Sequence, residues 1–547
     1  MVWGALPWGV LVFALGFYAI AQVRSFGPSY EEPDPDGYIW VAKKMARLEV
    51  PLTEQPDPFQ YHSHVWVENS DGQVSAKFAP GYPFLLAVAY RLGGDTAMFY
   101  VSPIAGGLGL LGAFLLFRLW MPLLPSVLAV VTLVANRMYL FYSGYLLTHA
   151  ANLCFVVWGM YFLWKWYRRP GPGWGILAGL CIGYAATIRH TTALMGLVAL
   201  AALIGRLVGD WKQGNWHVRS YATLILAGAI FPLLLLAYQD LVYGSVFASG
   251  YRLSGEQWAF SWESFLENFA ILAGGLNSDV LPLVFPFGLL GVIILGRWTE
   301  RAMRLLWFVP LYLLYSAYYW STHGQSYFRF MIVTMPLLAG AGYALISRIG
   351  KKRLRRASML VLCGIVLLIN SPHLYSGWTG KLVDPNRKLL GRIGRRLTAQ
   401  LQPDAVIFTR NPLTYHLGTR SRFEMYDLRA FSSRYARRTF RPARGNRPRR
   451  QPERNERFQE FYEGMDSDDL REEKRHLVRS HLQRGRQVIF LIPKGHQQRE
   501  ANRLGAEFEL KMMQELDFTW SHWGRERDYQ WGLYRVEKTG SAAEDGT

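Results

Sequence analysis

Between Met1 and Asn370 the chain carries eleven apolar runs of membrane-spanning length. They centre on 2–23, 98–120, 122–143, 146–166, 173–189, 191–208, 220–240, 280–296, 304–320, 330–347 and 355–371. About 20 apolar residues in a row cross the hydrocarbon core as one helix. Lipid offers no water to an exposed backbone N–H or C=O, so such runs must close their hydrogen bonds internally. The chain is therefore expected to be a polytopic α-helical membrane protein of about eleven spans. Composition agrees: 51% of residues are hydrophobic and 18% charged, against about 25% charged in soluble proteins. The net charge is nevertheless +20, so the cations must be concentrated in a minority of the chain. A disordered chain and a single soluble enzyme are both excluded.

Orientation follows from the bias of Lys and Arg in short connections. One set holds Arg118, Lys165, Arg168, Arg169, Arg206, Lys212, Arg219, Arg297, Arg301, Arg304, Arg348, Lys351, Lys352, Arg353, Arg355 and Arg356. The opposite set holds Arg189, Arg252 and Arg329. The rich set is read as cytoplasmic, which puts the N-terminus inside and, with an odd span count, the C-terminus outside the plasma (inner) membrane. The first run has no cation ahead of it and no small-residue cleavage pattern, so it reads as a retained helix. Cys154, Cys181 and Cys363 lie within apolar runs, so neither a disulfide framework nor a cysteine zinc site is legible.

Two long extracytoplasmic loops result, about 24–97 and 241–279. The first is Pro-rich and acidic and then reads as an amphipathic helix from Asp36 to Leu48. The second sets Trp258, Phe260, Trp262 and Phe265 among acids, a pattern suited to the membrane interface. Unstructured loops of such length are uncommon unless they carry function. From about residue 372 the chain changes character. Ala405-Val406-Ile407-Phe408-Thr409 and Gln487-Val488-Ile489-Phe490-Leu491-Ile492 alternate with charged helical stretches such as Ser467 to Gln483, which predicts a soluble, basic, extracytoplasmic α/β domain over 372–547. Within it Arg434 to Arg457 holds ten arginines. That segment reads as a solvated loop or as a contact for anionic headgroups or an acidic glycan. Nucleic acid is not expected outside the cell.

Ionisable groups within or beside spans are functional candidates by default, because the bilayer makes them costly. On the expected outer face they gather: Asp34 and Asp36, Lys77, Asn136 and Arg137, His149, Arg189 and His190, then His323, Tyr327 and Arg329. A carboxylate beside a group of cations suits removal of a hydroxyl proton while a departing phosphate is stabilised. Arg offers phosphate a planar donor fork and Lys a point charge. Each residue also has an ordinary role open to it: a snorkelling anchor for Arg189, helix packing for His149 and His190, an N-cap for Asp36. His62 and His64 form a pair without a third ligand at a recognisable spacing, so no metal site is read there.

The first loop, with Asp34-Pro35-Asp36-Gly37-Tyr38-Ile39-Trp40-Val41-Ala42-Lys43-Lys44-Met45 and then Lys77-Phe78-Ala79-Pro80-Gly81-Tyr82-Pro83, resembles the bacterial GT-C glycosyltransferases. The branch is that of the protein mannosyltransferase-like and aminoarabinose-transferase-like enzymes. Further matching strings are Ala186-Thr187-Ile188-Arg189-His190-Thr191-Thr192, Tyr243 to Tyr251, and Arg329 to Pro336. The resemblance covers the eleven-span core, 1–371, and is weaker beyond it.

The resemblance implies a transferase that uses a polyprenyl-phosphate sugar and inverts the anomeric carbon. In that family an acidic residue lies four positions before the aromatic that begins a Y-x-x-x-A-x-x-M-like helix, which is Asp34 before Tyr38. Pro35 interrupts the family's usual Asp-Glu pair, and Asp36 follows, so the base is Asp34 or Asp36. Lys77 and Arg329, with Arg189 and Arg137, would hold the lipid phosphate. Tyr38, His149, His190, Tyr251 and Tyr327 are further substrate-binding candidates. The implied partners are membrane lipids, the lipid-linked sugar and a protein, lipid or glycan acceptor, and a divalent metal is left open. Two other functions share parts of this pattern. A glycan polymerase or ligase would use the same lipid chemistry on an assembled chain. A flippase or transporter would place its charges near the midplane, whereas here they gather at one face.

Overall fold

The computed structural model describes residues 2–30, 33–54, 59, 65–322, 325–382, 385–409, 423–431, 465–522 and 525–539. His62, His64, His323 and the arginine-rich segment lie outside these, as does the side chain of Tyr327.

Helices occupy every one of the eleven apolar runs. In chain order they are α1 (Val2–Ser25), then after the first loop α4 (Val101–Trp120), α5 (Leu123–Ala135) with α6 (Arg137–Ser143), α7 (Thr148–Arg168) and α8 (Pro172–Ile188). There follow α9 (Met195–Gln213), α10 (Val218–Tyr243), α13 (Val284–Ile294), α14 (Trp298–Ser316), α15 (Met335–Ile346) and α16 (Lys352–Ile369). The first loop contributes α2 (Pro33–Ala46), the antiparallel hairpin β1 (Trp66–Glu68) and β2 (Val74–Ala76), and α3 (Gly81–Met98). The second contributes α11 (Gly250–Leu253), a 3₁₀ turn Glu256–Ala259 and α12 (Trp262–Gly275). Helix α2 begins at Pro33, three residues earlier than expected, so Asp36 lies inside its first turn and is not an N-cap.

By length and composition five helical segments among the described residues can cross a membrane, and up to eight if each bent pair counts as one span. The chain is an integral membrane protein. The bends lie between α5 and α6 (66°), between α12 with its π turn and α13 (117°), and between α16 and α17 (Ser371–Trp378, 63°). At the first bend Asn136 is extended and its side chain accepts from the Tyr139 N–H, an N-cap that restarts the helix.

Helices α8 and α10 approach through glycines. A Cβ on Gly179 would lie 2.6 Å from the Gly228 backbone nitrogen, and one on Gly183 would lie 2.7 Å from the Gly228 carbonyl. In lipid, small residues replace the hydrophobic effect as the means of helix association, because backbones can then touch. Gly288 and Gly291 in α13 meet the backbone of Leu338 and Ala341 in α15 in the same way.

The C-terminal domain is the expected α/β unit. Its five-stranded sheet runs β4 (Glu424–Asp427), β3 (Val406–Thr409), β5 (Val488–Pro493), β7 (Arg525–Lys538), β6 (Phe508–His522). The first three strands are parallel, and β7 joins β5 antiparallel. Alternation along the strands sends Val406, Phe408, Val488 and Phe490 to one face, packed with Leu470 and Val478 of the helix Asp469–Gln483. Ile407, Ile489 and Leu491 face the other side, packed with Ile393 and Leu397 of α18 (Pro385–Gln400). Both faces are covered, which is why the parallel strands are uniformly apolar. Phe59 from the first loop enters this core, stacked on Phe431 at 4.4 Å, and its carbonyl accepts from the Asp427 N–H at 3.0 Å.

Candidate active site

One cavity of about 1160 Å³ opens among the two loops and the helix ends they cover. Its lining includes Asp34, Tyr38, Lys77, His149, Arg189, His190, Tyr251 and Arg329. These eight come from the first loop, the start of α7, the α8–α9 junction, α11 and the 3₁₀ turn Gln325–Thr334 that leads into α15. Four cations (Lys77, Arg189, Arg252, Arg329) face two carboxylates (Asp34, Glu256). Leu235 and Leu236 of α10 with Val246 and Phe247 of the second loop give the same cavity an apolar share of its wall, and Phe247 is 78% exposed.

Asp34 and Tyr38 are one turn apart on α2, so both project to the cavity. Tyr38 is buried between Phe78 at 4.1 Å and Tyr82 at 5.2 Å. Burial pushes its phenol well above the usual range, with Tyr251 and Asp34 adding to the shift and Arg189 opposing it. Tyr251 is shifted upward for the same leading reason, so both phenols remain protonated donors at neutral pH. The carboxylate of Asp36 does not line the cavity. It is buried and accepts the Tyr30 hydroxyl at 3.1 Å.

Lys77 follows β2, and its N–H donates to Val65 at 2.8 Å. Its ammonium lies 2.7 Å from Glu256 and 5.6 Å from the centre of the Tyr251 ring. The second oxygen of Glu256 accepts from the Tyr318 hydroxyl at 2.8 Å. A Cβ at Gly250 would sit 2.3 Å from the Lys77 Cα, so glycine is what lets α11 lie against the Lys77 backbone.

Arg189 is the extended residue that ends α8. It donates to the Thr148 hydroxyl at 3.1 Å, and the Tyr315 hydroxyl lies 3.4 Å away. Phe330, stacked on Tyr315 at 5.1 Å, lies under both guanidinium groups: Arg189 at 5.3 Å and Arg329 at 5.7 Å. His149 packs edge-on to Tyr142 at 5.2 Å. His190 Nε2 is hydrogen-bonded to the Gln239 amide at 3.0 Å, and its ring meets Tyr251 edge-on at 5.6 Å.

Arg137, expected among the phosphate-binding cations, is not part of the cavity lining. The break at Asn136 leaves it exposed on α6, close enough to His373 of α17 for their charges to interact. Glu256, Gln239, Thr148, Tyr315, Tyr318 and Phe330 line the cavity without having been singled out in the sequence. The acids among aromatics in the second loop signalled Glu256 only as a class. Among the described residues no group of three or more His, Cys, Asp or Glu is placed to hold a metal ion.

No family model matches the chain, and no curated protein matches it by sequence. Solved structures do. ArnT from Cupriavidus metallidurans bound to undecaprenyl phosphate aligns over 97% of this chain and 98% of its own, at 12% identity and a TM-score of 0.58. The same protein in the apo state aligns over the same shares at 13% identity and a TM-score of 0.55. The apo oligosaccharyltransferase from Archaeoglobus fulgidus aligns less closely, over 96% of this chain and 74% of its own, at 12% identity and a TM-score of 0.48. With helices at all the expected runs, two structured loops over one cavity and a C-terminal sheet domain, the chain has the GT-C fold in the form seen in ArnT.

Proposed function

We propose that this protein is a glycosyltransferase that moves a sugar from a polyprenyl-phosphate donor to an acceptor hydroxyl at the extracytoplasmic face of the membrane. The observation that carries the reading is the cavity itself. A carboxylate, Asp34, shares it with Lys77, Arg189 and Arg329, and apolar side chains, Leu235, Leu236, Val246 and Phe247, line the same cavity. A lipid phosphate needs both halves of that arrangement, cations for its head and an apolar path for its chain. That a structure of the same fold was solved with undecaprenyl phosphate supports the choice of lipid.

In this reading the donor lies with its chain along Leu235, Leu236, Val246 and Phe247 and its phosphate toward the cations. The acceptor hydroxyl approaches from the aqueous side, and Asp34 takes its proton as its oxygen attacks the anomeric carbon. The sugar–phosphate bond breaks, configuration inverts and the lipid phosphate leaves as an anion. A phosphate leaving group needs no general acid, so one carboxylate suffices, unlike the paired acids of glycosidases. Arg189 and Arg329 are held in place by Phe330 and, for Arg189, by Thr148, and donors already oriented at the developing charge are what lower such a barrier. With the cation-rich connections inside, this cavity faces outward.

Sugar transfer by membranes containing the protein, supplied with a panel of radiolabelled polyprenyl-phosphate sugars, tests the reading. Wild type should consume one donor and Lys77→Ala and Asp34→Asn should not. Turnover by Asp34→Asn equal to wild type would remove the mechanism.

A further inference from the structure

Lys77 is expected to meet the donor phosphate, yet a carboxylate already holds it. The Lys77 and Glu256 side chains are 5% and 12% exposed, and their charged atoms lie 2.7 Å apart. They come from different loops, 179 positions apart. We propose that Glu256 is a displaceable counter-ion that competes with the lipid phosphate for Lys77, so that donor binding frees the turn that carries Glu256 from the first loop. This rests on the transferase reading above.

The physical reason is the cost of two anions at one ammonium. In a site this enclosed, charges are poorly screened, and a phosphate brought to Lys77 places its oxygens beside the Glu256 carboxylate. Either the phosphate is weakened by that repulsion or the carboxylate withdraws. The local backbone allows withdrawal. Glu256 opens a single 3₁₀ turn, preceded by Gly255 at φ +76, a conformation that glycine adopts without strain. The next two side chains, Gln257 and Trp258, are exposed, whereas Ala259 is buried and Phe260 packs on Tyr318 at 4.8 Å, so the shift is confined to the start of the turn. Arg252 lines the same cavity four residues earlier and offers the released carboxylate another cation on its own segment. The Tyr318 hydroxyl, at 2.8 Å, is a contact that favours the paired position.

The pair would then lower donor affinity and couple donor arrival to a shift of the Glu256 turn. Binding competence is a fraction of the whole, and apparent affinity scales with it.

The test is binding of undecaprenyl phosphate to the purified full-length protein in detergent, with folding checked by thermal melting. Glu256→Gln should bind about five- to tenfold tighter than wild type. Tyr318→Phe, which loosens Glu256 without touching Lys77, should shift affinity in the same direction. Glu263→Gln removes one charge from the same loop outside the cavity lining and should stay within about twofold. In the Lys77→Ala background Glu256→Gln should tighten binding much less than in wild type, because the competition for Lys77 is gone and only the repulsion between carboxylate and phosphate is relieved. Unchanged or weaker binding by both Glu256→Gln and Tyr318→Phe would overturn the proposal, as would a tightening of equal size with and without Lys77. If wild type and Lys77→Ala bind the lipid equally, the donor site of the transferase reading fails instead.

Discussion

Asp34 and Asp36 stand two positions apart in the first turn of α2, yet Asp34 lines the cavity while Asp36 is buried and accepts the Tyr30 hydroxyl at 3.1 Å. Helix geometry explains the divergence, since two residues turn a side chain by about 200°. Their substitutions should therefore separate chemistry from stability. Asp34→Asn is expected to lower turnover by about 10²- to 10⁴-fold, the usual worth of a general base, with an unchanged melting temperature. Asp36→Ala should instead lose about 1–3 kcal/mol of stability by removing a buried carboxylate that accepts the Tyr30 hydroxyl, with a much smaller effect on turnover. Parallel melting curves and initial rates distinguish the two.

The arginines should divide in the same way. Arg189 is fixed against Phe330 and Thr148 in the cavity wall, so Arg189→Ala should cost about 10²-fold or more in turnover. Arg137 is exposed on α6, outside the lining, and Arg137→Ala should leave turnover within about twofold. Equal losses in the two variants would mean that the phosphate extends to α6.

Gly250→Ala tests whether loop packing sets the position of Lys77. The added methyl would meet the Lys77 Cα at 2.3 Å and its carbonyl oxygen at 2.4 Å, and backbone cannot yield as a flexible side chain can. The expected cost is about 1–3 kcal/mol in stability, with a drop in donor affinity like that of Lys77→Ala. Wild-type affinity in a folded Gly250→Ala protein would uncouple α11 from the site.

The C-terminal domain should weaken in acid. His481 is buried, with its ring bonded to the Tyr426 hydroxyl at 3.1 Å. Burial lowers its pKa below 6.5, Glu424 opposes that shift, and Arg486 and Arg484 add to it. Burial would raise Glu424, but its bonds to Arg486 and Tyr426 and the charge of His481 hold it below 4.5. Both groups bind a proton less readily when folded than when unfolded, so each contributes stability that is present above its unfolded value and lost as pH falls through its folded one. Loss should begin below about pH 6.5 with His481 and continue below about pH 4.5 with Glu424. Hydrogen exchange across β4 and the helix Asp469–Gln483 reads this directly, and His481→Gln should remove the first phase only.

The sequence by itself determined the membrane class, the positions of the helices and the existence of a separate α/β domain. Each follows from a property the chain carries locally: runs long enough to cross lipid, strands apolar on both faces, and a sharp change in charge near residue 372. It also brought Asp34, Lys77, His149, Arg189, His190 and Arg329 into one set, because a bilayer sorts connections onto two faces and the charge pattern assigns these to the same one; the structure brings them to one cavity. Tertiary structure decided what a face cannot. Which of Asp34 and Asp36 meets the cavity depends on where α2 begins, at Pro33 and not Asp36. Arg137 leaves the set because Asn136 breaks the helix there. Glu256 joins it through a contact with Lys77 across 179 positions, and Phe330 through two arginines that share its ring. Such pairings depend on helix rotation and on loops packed over one another, and those are fixed by contacts between segments far apart in the chain.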